Sequence, residues 1–276
     1  MGKKADDLLR YSIFDPTGNI TALVESPVPV SRQPEVAAGI MARHPEVEQV
    51  GFVSEPDAPG LSLALRMAGG EFCGNASLCA AALLRLRKSD TAEQARVRLR
   101  VSGADEAVEV RLRRDGEVFT GCLRMPRAEA IRVERLSCQG VTAELPLVCM
   151  KGIWHLVIEA SSPFFVLSEQ PKAAESAVKR WCTQLGADGL GLMFLQDTEG
   201  QWRLTPLVYV PGSDTIFWEN SCASGSAATA LLLARRCGNP TELSLHEPGG
   251  ILRAACDPAS GETWLYGQTR RIFETE

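Results

Sequence analysis

The feature that most constrains this chain is that it is written twice. Glu71-Phe72-Cys73-Gly74-Asn75-Ala76-Ser77 stands beside Asn220-Ser221-Cys222-Ala223-Ser224-Gly225-Ser226, with the cysteines 149 residues apart. Each cysteine is followed by small and polar residues and then by an apolar run ending in arginines, Leu78 to Arg87 in one copy and Ala227 to Arg236 in the other. The flanks repeat too. Phe14 to Val24 parallels Val148 to Ile158, and a helical stretch from Glu35 to Arg43 leading to a strand at Val50 to Val53 parallels Glu175 to Leu185 leading to Leu190 to Leu195. A self-similar chain folds as repeated units, so the repeat is read before any single motif.

Behind each cysteine segment come alternating strand-like segments: residues 97–101, 108–112 and 118–123, then 243–246, 251–256 and 264–268. Asp115-Gly116 is a hairpin signal between two of them. The Cys helices are rich in Ala and Leu with few polar positions, which predicts burial on every side. A length of 276 residues suits two cores. The expected fold class is α/β (α+β), with two pseudo-symmetric domains related by a pseudo-twofold axis. They run 1–130, carrying Cys73, and 145–276, carrying Cys222, and join between Pro126 and Leu145, with the active site in the cleft between them.

Composition enters mainly to exclude. The net charge is -5, from 29 basic and 34 acidic residues spread along the chain, so no basic face invites nucleic acid. The densest basic stretch, Arg96-Val97-Arg98-Leu99-Arg100, alternates as the solvated face of a strand does. Met1-Gly2-Lys3-Lys4-Ala5-Asp6 leads into no apolar signal core, and no apolar run reaches the length of a membrane span, so a cytoplasmic protein with no membrane partner is expected. Nine cysteines without a secretory signal are expected to be reduced. No cysteine pair has zinc-knuckle spacing and the three histidines lie far apart, so no metal is expected. No lysine stands in a recognisable pyridoxal-phosphate setting.

Cys73 and Cys222 differ from the other seven cysteines, which read as packing, because both stand just before a helix at the same place in two copies. A helix start presents unpaired N–H groups and a partial positive charge. That environment favours a thiolate, lowers a thiol pKa and binds a carboxylate. Two such helix starts meeting in a cleft would set a substrate Cα between two thiols. One would take the Cα proton while the other delivers a proton to the opposite face, which inverts the centre.

At these residues the chain resembles the diaminopimelate epimerase family of cofactor-independent amino-acid racemases. Cys73-Gly74-Asn75-Ala76 resembles the family's Cys-Gly-Asn-Gly motif, and Cys222-Ala223-Ser224-Gly225 its Cys-Gly-Thr-Gly motif. Gly18-Asn19, Arg43-His44, and Gly152 with His155 resemble three further motifs. The resemblance implies that each domain is a mixed sheet wrapped around a buried central helix. It also implies that Cys73 and Cys222 are the acid/base pair and that no cofactor is needed. The backbone N–H groups of Gly74, Asn75, Ala223 and Ser224 would hold the substrate α-carboxylate, Asn19 would line the pocket, and the chain would form a homodimer.

The distal end of the site departs from the diaminopimelate pattern. The Glu-Arg pair that grips a second amino-acid head falls on Ser213 and Asp214, and Trp218-Glu219-Asn220 supplies no arginine. A bidentate guanidinium is hard to replace. The histidine racemases of metallophore biosynthesis are the closer likeness, with Glu46, Glu48 and Glu219 as candidates for recognising an imidazole. Three other readings stay open: a diaminopimelate epimerase with an altered clamp, a relative of the phenazine-biosynthesis isomerases, and a non-catalytic small-molecule-binding protein.

Overall fold

The computed structural model describes residues 9–88 and 92–275, so the hexapeptide Met1–Asp6 read above for a targeting signal lies outside the described residues. Contacts divide the chain into two units. The first comprises the residues up to Leu123 together with those from Tyr266 onward, and the second is Arg124–Leu265.

The first unit runs β1 (Tyr11–Asp15), β2 (Thr21–Val24), α1 (Gln33–Arg43), β3 (Gln49–Ser54), β4 (Leu63–Met67), α2 (Gly74–Arg87), β5 (Gln94–Val101), β6 (Val108–Asp115) and β7 (Val118–Arg124). The second runs β8 (Ala130–Cys138), β9 (Val141–Met150), β10 (Ile153–Glu159), α3 (Pro171–Leu185), β11 (Leu190–Thr198), β12 (Gln201–Val210), β13 (Thr215–Trp218), α4 (Ala223–Cys237), β14 (Thr241–Glu247) and β15 (Gly250–Asp257). The last strand, β16 (Glu262–Glu274), begins in the second unit and ends in the first.

The duplication is present in the topology. In the first unit β1 pairs antiparallel with β2, β2 parallel with β3, β3 antiparallel with β4, β4 parallel with β5 and β5 antiparallel with β6. In the second, β9, β10, β11, β12, β14 and β15 pair in the same order and with the same senses. The parallel steps need crossovers, and the helices supply them: α1 and α2 in one unit, α3 and α4 in the other. β16 pairs antiparallel with β1 as β8 does with β9.

The sequence expectation needs two adjustments here. The segment between Pro126 and Leu145 is not a joint but holds most of the β8–β9 hairpin, and the described residues from Tyr266 onward belong with the first half because β16 pairs with β1, Ile13 opposite Phe273.

The two helices that follow the cysteines are central. In α2 every residue from Gly74 to Arg85 is buried, and in α4 every residue from Ala223 to Leu232. Their small side chains let strands pack on all sides: β2, β4, β5 and β6 around α2, and β10, β11, β14 and β15 around α4. The outer helices bury one stripe only. In α3 that stripe is Ala174, Ala177, Val178, Trp181 and Cys182, spaced as one helical face, and in α1 it is Gln33, Val36, Ala37 and Ile40. Each unit is therefore a mixed sheet about a buried helix. Among the described residues no helix is long and apolar enough to cross a membrane.

Candidate active site

Cys73 is the N-cap of α2. Its backbone is extended, and its sulfur accepts the N–H of Ala76 at 3.3 Å. Its carbonyl begins the helix by accepting from Ser77, both N–H (3.1 Å) and Oγ (2.7 Å). The thiol donates to Gln49 Oε1 at 3.1 Å. Gln49 is the first residue of β3, and its Nε2 donates to Thr21 Oγ1 (2.8 Å) and to Asn19 Oδ1. Asn19 Oδ1 also accepts from Asn75 Nδ2 at 3.2 Å, while Asn19 Nδ2 donates to Glu48 Oε2 at 2.6 Å. Asn19 is thus buried, with its amide hydrogen-bonded at both ends. The N–H of Ala76 strengthens its hold as charge develops on the sulfur.

Cys222 is the N-cap of α4, also extended, and Ser226 N–H donates to its carbonyl at 2.8 Å. The sulfur lies 3.7 Å from Ser224 Oγ. Its backbone N–H donates to Glu247 Oε2 at 2.6 Å, and Glu247 Oε1 accepts the hydroxyl of Ser226. Gly225, in the first turn of α4, leaves no room for a side chain. A Cβ there would collide with Met193 Sδ and stand 3.2 Å from Cys222 Sγ.

The helix-start environment was expected to lower the pKa of both thiols, and at Cys222 that expectation is corrected. Burial pushes the Cys222 thiol well above its ordinary range. The charges of Glu219 and Glu247 and a hydrogen bond with Glu219 act in the same direction, against only the Gly225 N–H. Burial also pushes the Glu247 carboxyl up, to about 8.

Gly74 and Asn75 occupy the first turn of α2, and Ala223 and Ser224 that of α4. Of the three acids considered for side-chain recognition, Glu46 is exposed and faces His44 Nδ1 at 3.5 Å. Glu48 belongs to the Asn19 hub, and Glu219 hydrogen-bonds Cys222. Asp214, at one of the two clamp positions, is exposed in the β12–β13 turn and ion-paired with Lys179 of α3 at 3.0 Å. His155 is fully buried on β10. Among the described residues no three His, Cys, Asp or Glu side chains are grouped so that they could hold a metal ion.

Two residues escaped the sequence reading. Gln49 carried no local signal, since a Gln at a strand start is ordinary. Glu247 did carry one: it continues the buried-face alternation Leu243, Leu245, Glu247 and puts an acid where an apolar residue belongs.

Residues 8–264 match the family described as the histidine racemase CntK N-terminal domain. A histidine racemase of Fusobacterium nucleatum subsp. nucleatum is 31% identical over 274 residues, 97% of this chain and 96% of that protein. One of Staphylococcus aureus is 27% identical over 273 residues, 96% of each. Of solved structures, a Pseudomonas aeruginosa protein described as a predicted epimerase matches with a TM-score of 0.68 at 17% identity, covering 97% of this chain and 98% of that one. A hydroxyproline epimerase of Agrobacterium vitis matches with 0.64 at 13%, covering 97% and 91%. At such identities the structures share the fold.

Proposed function

We propose, proceeding from the fact that this chain belongs to the histidine racemase family, that it interconverts L- and D-histidine with Cys73 and Cys222 as its paired acid and base. The chain is an isomerase, an amino-acid racemase. The histidine substrate and the two-thiol chemistry are our reading. The observation that carries it is the equivalence of the two cysteines: each is the N-cap of the buried helix in its own unit, at the same step of the same topology.

The reading requires the two thiols to meet one Cα from opposite sides. The thiolate of one cysteine takes the Cα proton, becoming S–H, and the C–H electron pair passes to the substrate. The S–H of the other delivers its proton to the opposite face, becoming thiolate, and the reverse reaction exchanges the roles. First-turn N–H groups of Gly74 and Asn75, and of Ala223 and Ser224, would hold the α-carboxylate and stabilise charge that spreads onto it as the proton leaves. Glu219, bonded to Cys222, and Glu48, bonded to Asn19 in the network around Cys73, support recognition of the imidazole better than Glu46, which is turned to His44.

The test is Cα–H exchange in D₂O followed by NMR, with reduced protein and a panel of single L-amino acids including diaminopimelate. Deuterium should appear at Cα of histidine with loss of optical activity. Cys73→Ser and Cys222→Ser should each lower the rate by about 10²-fold or more, as removal of a general acid or base does. Exchange of diaminopimelate in preference to histidine would overturn the substrate. A silent panel would leave the chain a binding relative, and full activity in either serine variant would end the two-thiol mechanism.

A further inference from the structure

The two cysteines share a place in the topology but not their surroundings. Strands β5 and β14 run behind the two central helices with the same burial pattern along their length, so that the last residue of one answers to the last residue of the other. In β5 that residue is Val101, 1% exposed, and in β14 it is Glu247, 7% exposed. The carboxyl of Glu247 uses one oxygen on the N–H of Cys222 and the other on the hydroxyl of Ser226, one turn into α4. In the first unit the half-buried Glu71 is engaged by the backbone N–H of Gly69 and faces Arg66, Glu48 accepts from Asn19, and the thiol of Cys73 donates to the neutral Gln49 and its sulfur accepts the N–H of Ala76.

We infer that Glu247 is a positioning residue that makes the two cysteines unequal: it anchors the backbone of Cys222 and, once its own proton is gone, opposes negative charge on the sulfur, so that Cys222 holds its proton to higher pH than Cys73 and serves as the proton donor, with Cys73 as the base. This rests on the two-thiol reading. The enzyme at rest would then be loaded for the enantiomer whose Cα–H faces Cys73, and after each such turnover a proton must pass from Cys73 back to Cys222 through solvent.

The groups facing Cys222 fit this assignment. Glu219 approaches from the segment before it and Glu247 from β14, both acids. Of the other strands on α4, β10 brings His155, buried and neutral, and β11 brings the apolar Met193. Arg253 on β15 is exposed and paired with Glu242 at 2.9 Å.

The experiment is labelling of the native, reduced protein with iodoacetamide from about pH 6 to about pH 10, with each cysteine followed by mass spectrometry. In wild type the labelling midpoint of Cys222 should lie above that of Cys73. In Glu247→Gln it should fall by about one pH unit, with about tenfold faster labelling of Cys222 near pH 9, where the wild-type carboxyl is charged. The profile of Cys73 should not move, which a general loosening of the fold would not spare. Glu247→Val, the residue type of the first unit, should act in the same direction and serves if the Gln variant fails to fold. Coincident midpoints in wild type, or an unmoved Cys222 profile in a folded variant, would overturn the inference. Labelling reads the thiols without turnover, so its failure is distinguishable from inactivity of the serine variants, which bears on the two-thiol reading itself.

Discussion

His155 is buried completely on β10, and neither ring nitrogen has a hydrogen-bond partner. Burial lowers its pKa from 6.5 to about 3. The unfolded chain takes up a proton near pH 6.5 that the folded chain refuses until about pH 3, so the folded state loses stability as pH falls through that window. A shift of this size corresponds to something on the order of 5 kcal/mol. We expect His155→Leu, which fills similar volume without the two unsatisfied nitrogens, to flatten the acid side of stability measured by urea unfolding. At neutral pH it should leave the protein as stable or about 1–3 kcal/mol more so. An unchanged acid limb would mean that the ring is hydrated in solution.

At the scale of elements, the close packing of α4 on β11 sets how near the cysteine helix can lie to its sheet. Met193 reaches under the first turn of α4, and a Cβ on Gly225 would collide with its Sδ and meet its Cε at 3.0 Å. Gly225→Ala should cost about 1–3 kcal/mol by overpacking. In a Met193→Ala background the same change should cost much less, a coupling that a double-mutant cycle of melting temperatures would measure. Helices of this kind were legible in sequence because Ala and Leu at every position leave no polar face to expose. The β8–β9 hairpin was not. The apolar residues of β8 change face along the strand, Val133 at 63% exposure and Leu136 at 0%, which breaks the alternation a reader counts on. Its turn, Gln139-Gly140, has positive φ at both residues, a type I′ geometry usually announced by Asn-Gly.

For the whole molecule, two buried groups shape the dependence of stability on pH. His155 adds stability as pH rises from about 3 to 6.5, whereas Glu247, raised from 4.5 to about 8, removes it as pH rises through that higher window, because the unfolded carboxyl has already lost its proton. Where the windows overlap, between 4.5 and 6.5, the two slopes cancel. Together they give a plateau there, with stability falling on either side. Glu247→Gln should therefore flatten the loss between 6.5 and about 8, turn the plateau between 4.5 and 6.5 into a rise with pH, and leave the limb below 4.5 alone, as chemical unfolding at stepped pH would check. In the first unit Val101 stands where Glu247 does.

What the sequence determined by itself is what repetition and local pattern can carry: two copies of one α/β plan, two buried helices, and a cysteine at the start of each. Motif resemblance led from those cysteines to amino-acid racemisation, which family membership supports. The tertiary structure alone decided the rest. Residues 266–274 return to β1, a pairing across the length of the chain that no local signal encodes. The fold also brings Gln49 to Cys73, Asn19 to Asn75 beside it, and Glu247 to Cys222. The direction in which the thiol of Cys222 moves was misread for the same reason. A helix start is written in adjacent residues, but desolvation comes from the packing of the whole unit; in a buried site it outweighs the helix, with Glu219 and Glu247 acting in the same direction.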